Sequence, residues 1–346
     1  MSSSSFDPLS EDRRIRDPSV AAGSRDAVAG RDSDTARILA ALQVHPRASW
    51  PQIAQVLGMN ERTVARKGQD LLSRGVVRVS VVSVGARGSL VEVVAERGAM
   101  RMAAKYLAAR QEVLWLHMTT GPQDLLGEVN VPDWELADVV IDELQAVPGT
   151  QAVRTYPILD YLRLAKDWDP GLLSAEERTA LDEQNEFRTP FYEMGFDAPA
   201  LDPMDRRIGE ELARNGRATF VDLGRAAGVS ESTVRRRVAR LVSTGRIAFR
   251  AVFDPKHLGL PLTAVLKLSV APVHLTSVCA AVAGDSRIRN ALVLTGSAAV
   301  LVQVDVTTRR DLLDLLATHP MMEHVGSVET SVVLQSAKRS RTQFDV

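Results

Sequence analysis

Ser230-Glu-Ser-Thr-Val-Arg-Arg-Arg-Val-Ala-Arg-Leu241 sets Val234, Val238 and Leu241 along one stripe of a helix and turns Arg235, Arg236 and Ala239 away from it. Ser230 is placed to cap this helix, and Thr244-Gly245 supplies the glycine that helices commonly end on. Just upstream, Thr219–Ala227 reads as a short helix and Gly228-Val-Ser230 as a tight turn. Before that, Met204–Asn215 spaces Ile208 and Leu212 four apart on an amphipathic helix. Helix, helix, glycine turn and basic helix together make a helix-turn-helix, the unit that lays its last helix in a DNA major groove. The turn glycine is required either because the helices meet too steeply for a side chain or because the turn needs a positive φ.

The unit occurs twice. Residues 37–78 align with 207–248 at an offset of 170 without a gap, and thirteen positions are identical, among them Arg47/Arg217, Gly58/Gly228, Glu61/Glu231, Thr63/Thr233, Val64/Val234, Arg66/Arg236 and Gly75/Gly245. One such pattern is also what solvated arginines on an ordinary bundle helix would give. Two copies, each followed by the same kind of sheet segment, favour a pair of DNA-reading modules. The copies differ. Gly68 stands at the position of core Val238, a helix-propensity cost of about 1 kcal/mol plus lost packing. Gln69 and Asp70 replace Ala239 and Arg240, while Gly224 stands where the first copy has Ala54. The second module is therefore expected to grip phosphate more strongly, and the first to be weaker or differently specific.

Beyond each module the period changes from 3.6 to 2. In the second half Leu262–Val270, Ile288–Gly296, Ala298–Val306 and Val325–Gln335 read as strands, with helices at His274–Ala283 and Arg309–Thr318. The first half gives strands at Leu90–Ala95, Glu112–Gly121, Asp124–Val131 and Val153–Leu162, with helices at Ala99–Ala109 and Trp134–Gln145. Both series are β-α-β-β-α-β, the ferredoxin-like arrangement. These halves register at an offset of 175, the extra residues falling near Asp254–Gly259.

Taken together, Ser230–Leu241, Gly245-Arg-Ile-Ala-Phe-Arg-Ala251 and Phe253-Asp-Pro-Lys-His-Leu-Gly259 resemble the Lrp/AsnC family of bacterial and archaeal transcription regulators, duplicated in tandem over residues 32–165 and 202–337. The resemblance implies an α+β chain of two winged/helix-turn-helix modules, each followed by a ferredoxin-like βαββαβ (RAM) domain whose sheets pair face to face. It implies double-stranded DNA as a partner, homo-oligomers, and a small effector such as an amino acid held near the hairpin between the second and third strands. That hairpin is Thr120-Gly-Pro-Gln-Asp-Leu125, so Gly121 and Asp124 map onto effector positions, although Gly, Pro and Asp are also ordinary turn residues. In the second half Ala299 replaces the acid. Arg235 and Arg236 are the expected base or phosphate readers of the second module, beside Ser232, with Arg62 and Arg66 standing for them in the first. Arg237, Arg240, Arg225 and Lys67 are expected on phosphates.

The resulting partition is a disordered tail (1–31), module 1 (32–80), RAM-like domain 1 (81–165), an acidic linker (166–201), module 2 (202–252), RAM-like domain 2 (253–337) and a tail (338–346). Local charge supports it. Residues 202–250 hold eleven Arg against six acids and 32–80 hold seven basic residues against four, whereas 164–203 hold three against ten. Screening confines each to about 10 Å, so the overall net charge of −1 decides nothing. In the linker, Ser174 and Glu177 form a capping box ahead of a short helix. One cysteine, no membrane-length apolar run and no secretory leader suit a cytoplasmic chain. No metal spacing, cofactor motif or phosphate loop is present; Cys279 reads as core, and no enzyme is expected. Sirohaem decarboxylases resemble the same architecture but carry a His- and Arg-rich patch. Here Leu262–Val270 and Leu292–Val306 read as almost wholly apolar, leaving His117 alone.

Overall fold

The computed structural model describes residues 33–83, 88–132, 134–188 and 201–344. The tail 1–31 lies outside the described residues. Module 1 comprises α1 (Ser33–Val44), α2 (Trp50–Leu57) and α3 (Glu61–Ser73). Module 2 repeats it as α7 (Pro203–Arg214), α8 (Phe220–Ala227) and α9 (Glu231–Ser243). Asn60 and Ser230 cap α3 and α9 by accepting from the amides of Thr63 and Thr233. The turn glycines resolve the alternative left open by the sequence. Gly58 and Gly228 have φ of +64° and +71°, and a Cβ on either would meet nothing within 4 Å, so backbone conformation and not crowding selects glycine.

Gly68 is the opposite case. A Cβ there would lie 2.3 Å from the Trp50 indole, which fills the space that Val238 fills in module 2 opposite Phe220. The expected packing loss at Gly68 is therefore corrected: a larger aromatic and a smaller helix residue exchange volume. Gly68→Val is expected to destabilise by about 1–3 kcal/mol, and the double variant Trp50→Phe/Gly68→Val to recover most of it, by denaturant unfolding. A double variant no more stable than Gly68→Val would contradict the exchange.

Strands β1 (Val77–Ser83) and β6 (Ile247–Phe253) pair antiparallel, Ser80 opposite Arg250, as a ribbon between the modules. The ribbon crosses over. Phe253 on β6 enters the core of module 1, and Val81 on β1 enters that of module 2. Each module's own strand contributes as well, Val77 to module 1 and Ile247 and Phe249 to module 2, so both strands help to close both cores.

Each half then forms its β-α-β-β-α-β unit: β2 (Gly88–Ala95), α4 (Met100–Ala109), β3 (Val113–Thr119), β4 (Leu125–Asn130), α5 (136–144) and β5 (Thr150–Arg163); and β7 (Leu262–Val270), α10 (Leu275–Gly284), β8 (Ile288–Leu294), β9 (Val300–Val306), α11 (Arg309–Thr318) and β10 (Val325–Arg339). Helix α5 is one α-turn followed by a π-helical run over Val139–Leu144. The β-branched Val139-Val140-Ile141 there is a poor α-former. The last strand of each unit overruns its predicted end because it serves two partners. β5 pairs with β2 up to Pro157 and with β8 from Ile158; β10 pairs with β7 up to Val332 and with β3 from Val333. The strands thus close into a ring, β10-β3-β4-β2-β5-β8-β9-β7 and back to β10. Face-to-face pairing alone is corrected: the units share hydrogen-bonded edges at both ends, which leaves no exposed edge in the ring.

Between the two sheets lie Leu90, Trp115, Leu126, Ile158, Val265, Leu292 and Leu301. The 175-residue offset sets Glu92 and Lys267 at equivalent positions on β2 and β7, and they meet at 2.5 Å, the Glu92 side chain 6% and the Lys267 side chain 12% exposed. The expected apolar character of Leu262–Val270 and Leu292–Val306 is corrected at Lys267, Gln303 and Asp305, and polar residues also stand just before Leu292. Lys267, Asn290, Gln303 and Asp305 are buried or half-buried, and Arg289 and Arg339 act electrostatically on His117.

Two further segments differ from expectation. Lys338 and Arg339 finish β10, and Thr342–Gln343 (β11) fold back on them, so the described part of the C-terminal tail is a hairpin. Ser340 and Arg341 take φ of 43° and 62°, the conformation a two-residue hairpin turn demands. The linker helix α6 (Ala175–Glu183) has its capping box, and Trp168, Leu173 and Leu181 are buried in the core of module 1 while Phe187 enters that of module 2. Glu177 pairs with Arg37, so part of the acidity is spent inside the molecule.

Candidate nucleic-acid interface

The outer faces of α3 and α9 carry the residues singled out from sequence. Arg62, Arg66, Ser232, Arg235, Arg236 and Arg240 are exposed there, and Arg225 is exposed on α8. The structure divides them by what they already hold. Arg225 pairs with Asp222 at 3.1 Å and Arg235 with Glu231 at 3.2 Å, Arg235 also lying 4.4 Å above the Phe220 ring. Arg237 donates to Asp202 and Asp205 at 2.6 and 2.8 Å, and Arg240 to the same buried Asp205. Lys67, half-buried, pairs with Asp34 at 3.3 Å. These bonds tie α9 to α7 and α3 to α1. Among the described residues, Arg62, Arg66 and Arg236 have no carboxylate at ion-pair distance, so their forks face solvent. Arg66 and Arg236 are the same residue in the two copies.

The modules are held to each other by two more duplicated residues. Arg47 donates to the carbonyls of Gly216 and Ala218, and Arg217 donates to those of Pro46 and Ala48, both at 2.8 Å. Each guanidinium also covers an aromatic ring of the other module, Arg47 at 5.0 Å from Phe220 and Arg217 at 4.6 Å from Trp50. This reciprocal clasp fixes where α3 stands relative to α9. In the sequence Arg47/Arg217 is only an identity between the copies, and an arginine shared at that position was the available signal.

His45, 4% exposed, sits beside the clasp. Burial first, then Arg217 and Arg47, lower its pKa to about 4. In the unfolded chain it takes up a proton near 6.5. Its contribution to stability is therefore fully present above pH ~6.5 and is lost as the pH falls toward 4. His45→Gln is expected to flatten the melting temperature against pH over that window; curves of equal slope would contradict this.

The hairpin Thr120–Leu125, where an effector was expected, is docked on the other half. Asp124 accepts from the Ala95 amide at 2.8 Å, Thr120 exchanges two bonds with Val332, and Gln123 donates to Ser331 at 2.8 Å. Gly121 lies over Ser331, a Cβ there falling 2.9 Å from its hydroxyl. Gln123 also receives Lys267 at 3.5 Å, linking the hairpin to the Glu92–Lys267 pair. Gln123, Ser331 and this pair were missed from sequence. The 175 offset, which opposes an acid to a base, could have found the last.

Comparison with known proteins agrees with this geometry. The AsnC-type helix-turn-helix domain matches residues 201–242, the winged helix-turn-helix DNA-binding domain residues 35–78, and the Lrp/AsnC ligand binding domain residues 89–163. An uncharacterized HTH-type transcriptional regulator of Pyrococcus furiosus is 33% identical over 40% of this chain and 95% of its own length. The leucine-responsive regulatory protein of Haemophilus influenzae is 28% identical over 41% of this chain and 88% of its own. Among solved structures, the siroheme decarboxylase NirDL superposes with a TM-score of 0.59 at 14% identity, over 90% of this chain and 94% of that one, a likeness of fold alone.

Proposed function

The chain belongs to the Lrp/AsnC family of helix-turn-helix transcriptional regulators, and on that premise we propose that it is a tandem duplicate whose two unlike modules read the two halves of one DNA site. The observation that carries this is the pair Arg66 and Arg236, equivalent, exposed and uncommitted on helices whose relative placement the Arg47/Arg217 clasp sets. A bidentate arginine fork suits the O6 and N7 of guanine, or a phosphate. Ser232 lies one turn before Arg236, where the first module has Arg62, so the half-sites need not be the same sequence. Arg225, Arg237, Arg240 and Lys67 serve phosphates only by sharing their present carboxylates.

The ring makes the chain its own partner across that interface, a fused counterpart of a two-fold dimer. Larger homo-oligomers would then use other surfaces. Gly121 and Asp124 remain the proposed effector positions, with an amino acid as the class of ligand. An iron tetrapyrrole enzyme is disfavoured. Ligand pockets of that kind need ~300–1,000 Å³, whereas the space between the sheets is packed by Trp115, Leu126, Leu292 and their neighbours. Among the described residues no helix is long and apolar enough to cross a membrane.

A gel-shift titration against genomic fragments tests the reading, repeated with each of the twenty amino acids. Preference for particular fragments at physiological salt is expected, with at least one amino acid changing the affinity. Equal binding to every duplex would contradict DNA reading, and indifference to all twenty would contradict the effector assignment only.

A further inference from the structure

A cavity of about 30 Å³ lies where module 1, the ribbon and the ring meet, lined by Gln43, Lys166, Trp168, Arg250, Arg289 and Arg339. The cations come from separate elements: Arg250 from β6, Arg289 from β8, Arg339 from β10 and Lys166 from the segment after β5. Three have carboxylates. Arg289 pairs with Asp305 at 3.2 Å while stacking 5.0 Å from the Trp168 ring, Arg339 lies 3.8 Å from Asp254, and Lys166 lies 3.4 Å from Asp167. Arg250 is the excess charge. Its guanidinium makes one hydrogen bond among the described residues, to the Phe249 carbonyl at 2.8 Å, and a guanidinium has five N–H donors to satisfy.

We propose that this cavity binds a small tetrahedral oxyanion, inorganic phosphate or the phosphate of a monoester, on the fork of Arg250 with Arg289 and Arg339 closing over it. A carboxylate would occupy one fork in one plane; cations converging from three strands suit oxygens pointing in more than two directions. The size agrees, since each water needs about 10–15 Å³ of such space and the cavity holds two or three waters' worth. Burial lowers Arg250 to about 10 against the attraction of Asp167, and burial followed by Arg289 lowers Arg339 to about 10. A bound anion relieves both. The site is distinct from the effector hairpin and touches α1 through Gln43, so its occupancy would reach the DNA-reading module.

The duplication supplies a safe variant. At the equivalent corner Ser80 and Ala213 stand where Arg250 and Gln43 stand, and the Ser80 hydroxyl donates to the Ala213 carbonyl at 3.0 Å. Arg250→Ser therefore introduces the residue the molecule itself uses there. The test is thermal melting and calorimetric titration of the full chain, without DNA, with phosphate, sulfate, acetate and chloride at constant ionic strength. Phosphate and sulfate should raise the melting temperature above chloride and acetate should not. Arg250→Ser should weaken phosphate about tenfold or more, the charge-assisted bonds being lost. Arg250→Lys, which keeps charge but not the fork, should fall between, and Arg214→Ser on the exposed surface should bind as the parent does. Phosphate no better than chloride, acetate equal to phosphate, or full binding by Arg250→Ser would each overturn the proposal. Because DNA is absent from the assay, its failure would leave the regulator reading untouched.

Discussion

Lys267→Met is expected to cost about 3–5 kcal/mol of stability, because it leaves Glu92 charged and unpaired between the two sheets. Lys267 answers two carboxylates, Glu92 and Glu329, each at 2.5 Å, and Tyr156 donates to Glu92 at 3.3 Å. Of the two acids, Glu329 is 42% exposed and can be resolvated, whereas Glu92 cannot. The loss should therefore be concentrated on Glu92. It follows that Glu92→Gln/Lys267→Met, which removes both charges, should be far closer to the parent than Lys267→Met alone, since replacing a buried pair altogether is often neutral. Denaturant unfolding of the three proteins distinguishes the cases. A double variant as unstable as the single one would mean that the pair does not act as a unit. The pair also bears on assembly: two first halves would bring Glu92 against Glu92 at this position, so the charge reversal favours the pairing of unlike halves, as here within one chain.

Arg236→Ala is expected to lower affinity for the preferred DNA by ~1–3 kcal/mol and to relax preference at the base it contacts, with little change in melting temperature. Arg237→Ala should behave in the reverse manner. It removes a bond to Asp205, which is 3% exposed at the first turn of α7 and caps the contact between α7 and α9. Its melting temperature should fall, and any loss of DNA binding should be uniform across sequences. Fluorescence anisotropy on matched and mismatched duplexes, beside thermal melting, separates the two. Equal effects of both variants on discrimination would refute the division of the arginines by their intramolecular partners.

The repeat made the modules legible because a helix-turn-helix is local: cap, stripe, glycine turn and end all lie within about forty residues, and each has its own sequence sign. The order of strands and helices in both halves was legible for the same reason. What sequence could not give is where the strands go at the seam. β5 and β10 change partners in mid-strand, at Ile158 and Val333, with a shift of register just beyond each change (Ile158/Asp160 and Val333/Gln335), and an extended chain offers the same backbone bonds to either neighbour. The crossed ribbon was hidden likewise: Phe253 and Val81 look like core residues of their own modules. Among the candidate site residues, exposure was foreseeable from the helical period, but commitment was not. Arg237 and Arg240 share a face with Asp205 only once α7 is laid against α9. Gly68 misled because a single helix says nothing of Trp50, eighteen residues earlier, which occupies its missing side chain.

The most direct measurement of the central claim is selection of bound sequences from a random duplex pool by the full chain, followed by footprinting. Two half-sites of different sequence, their centres about one helical turn or a multiple of it apart, are the predicted outcome, with Arg236→Ala erasing preference in one half and Arg66→Ala in the other. A single half-site, or a pool that emerges without sequence preference, would contradict it.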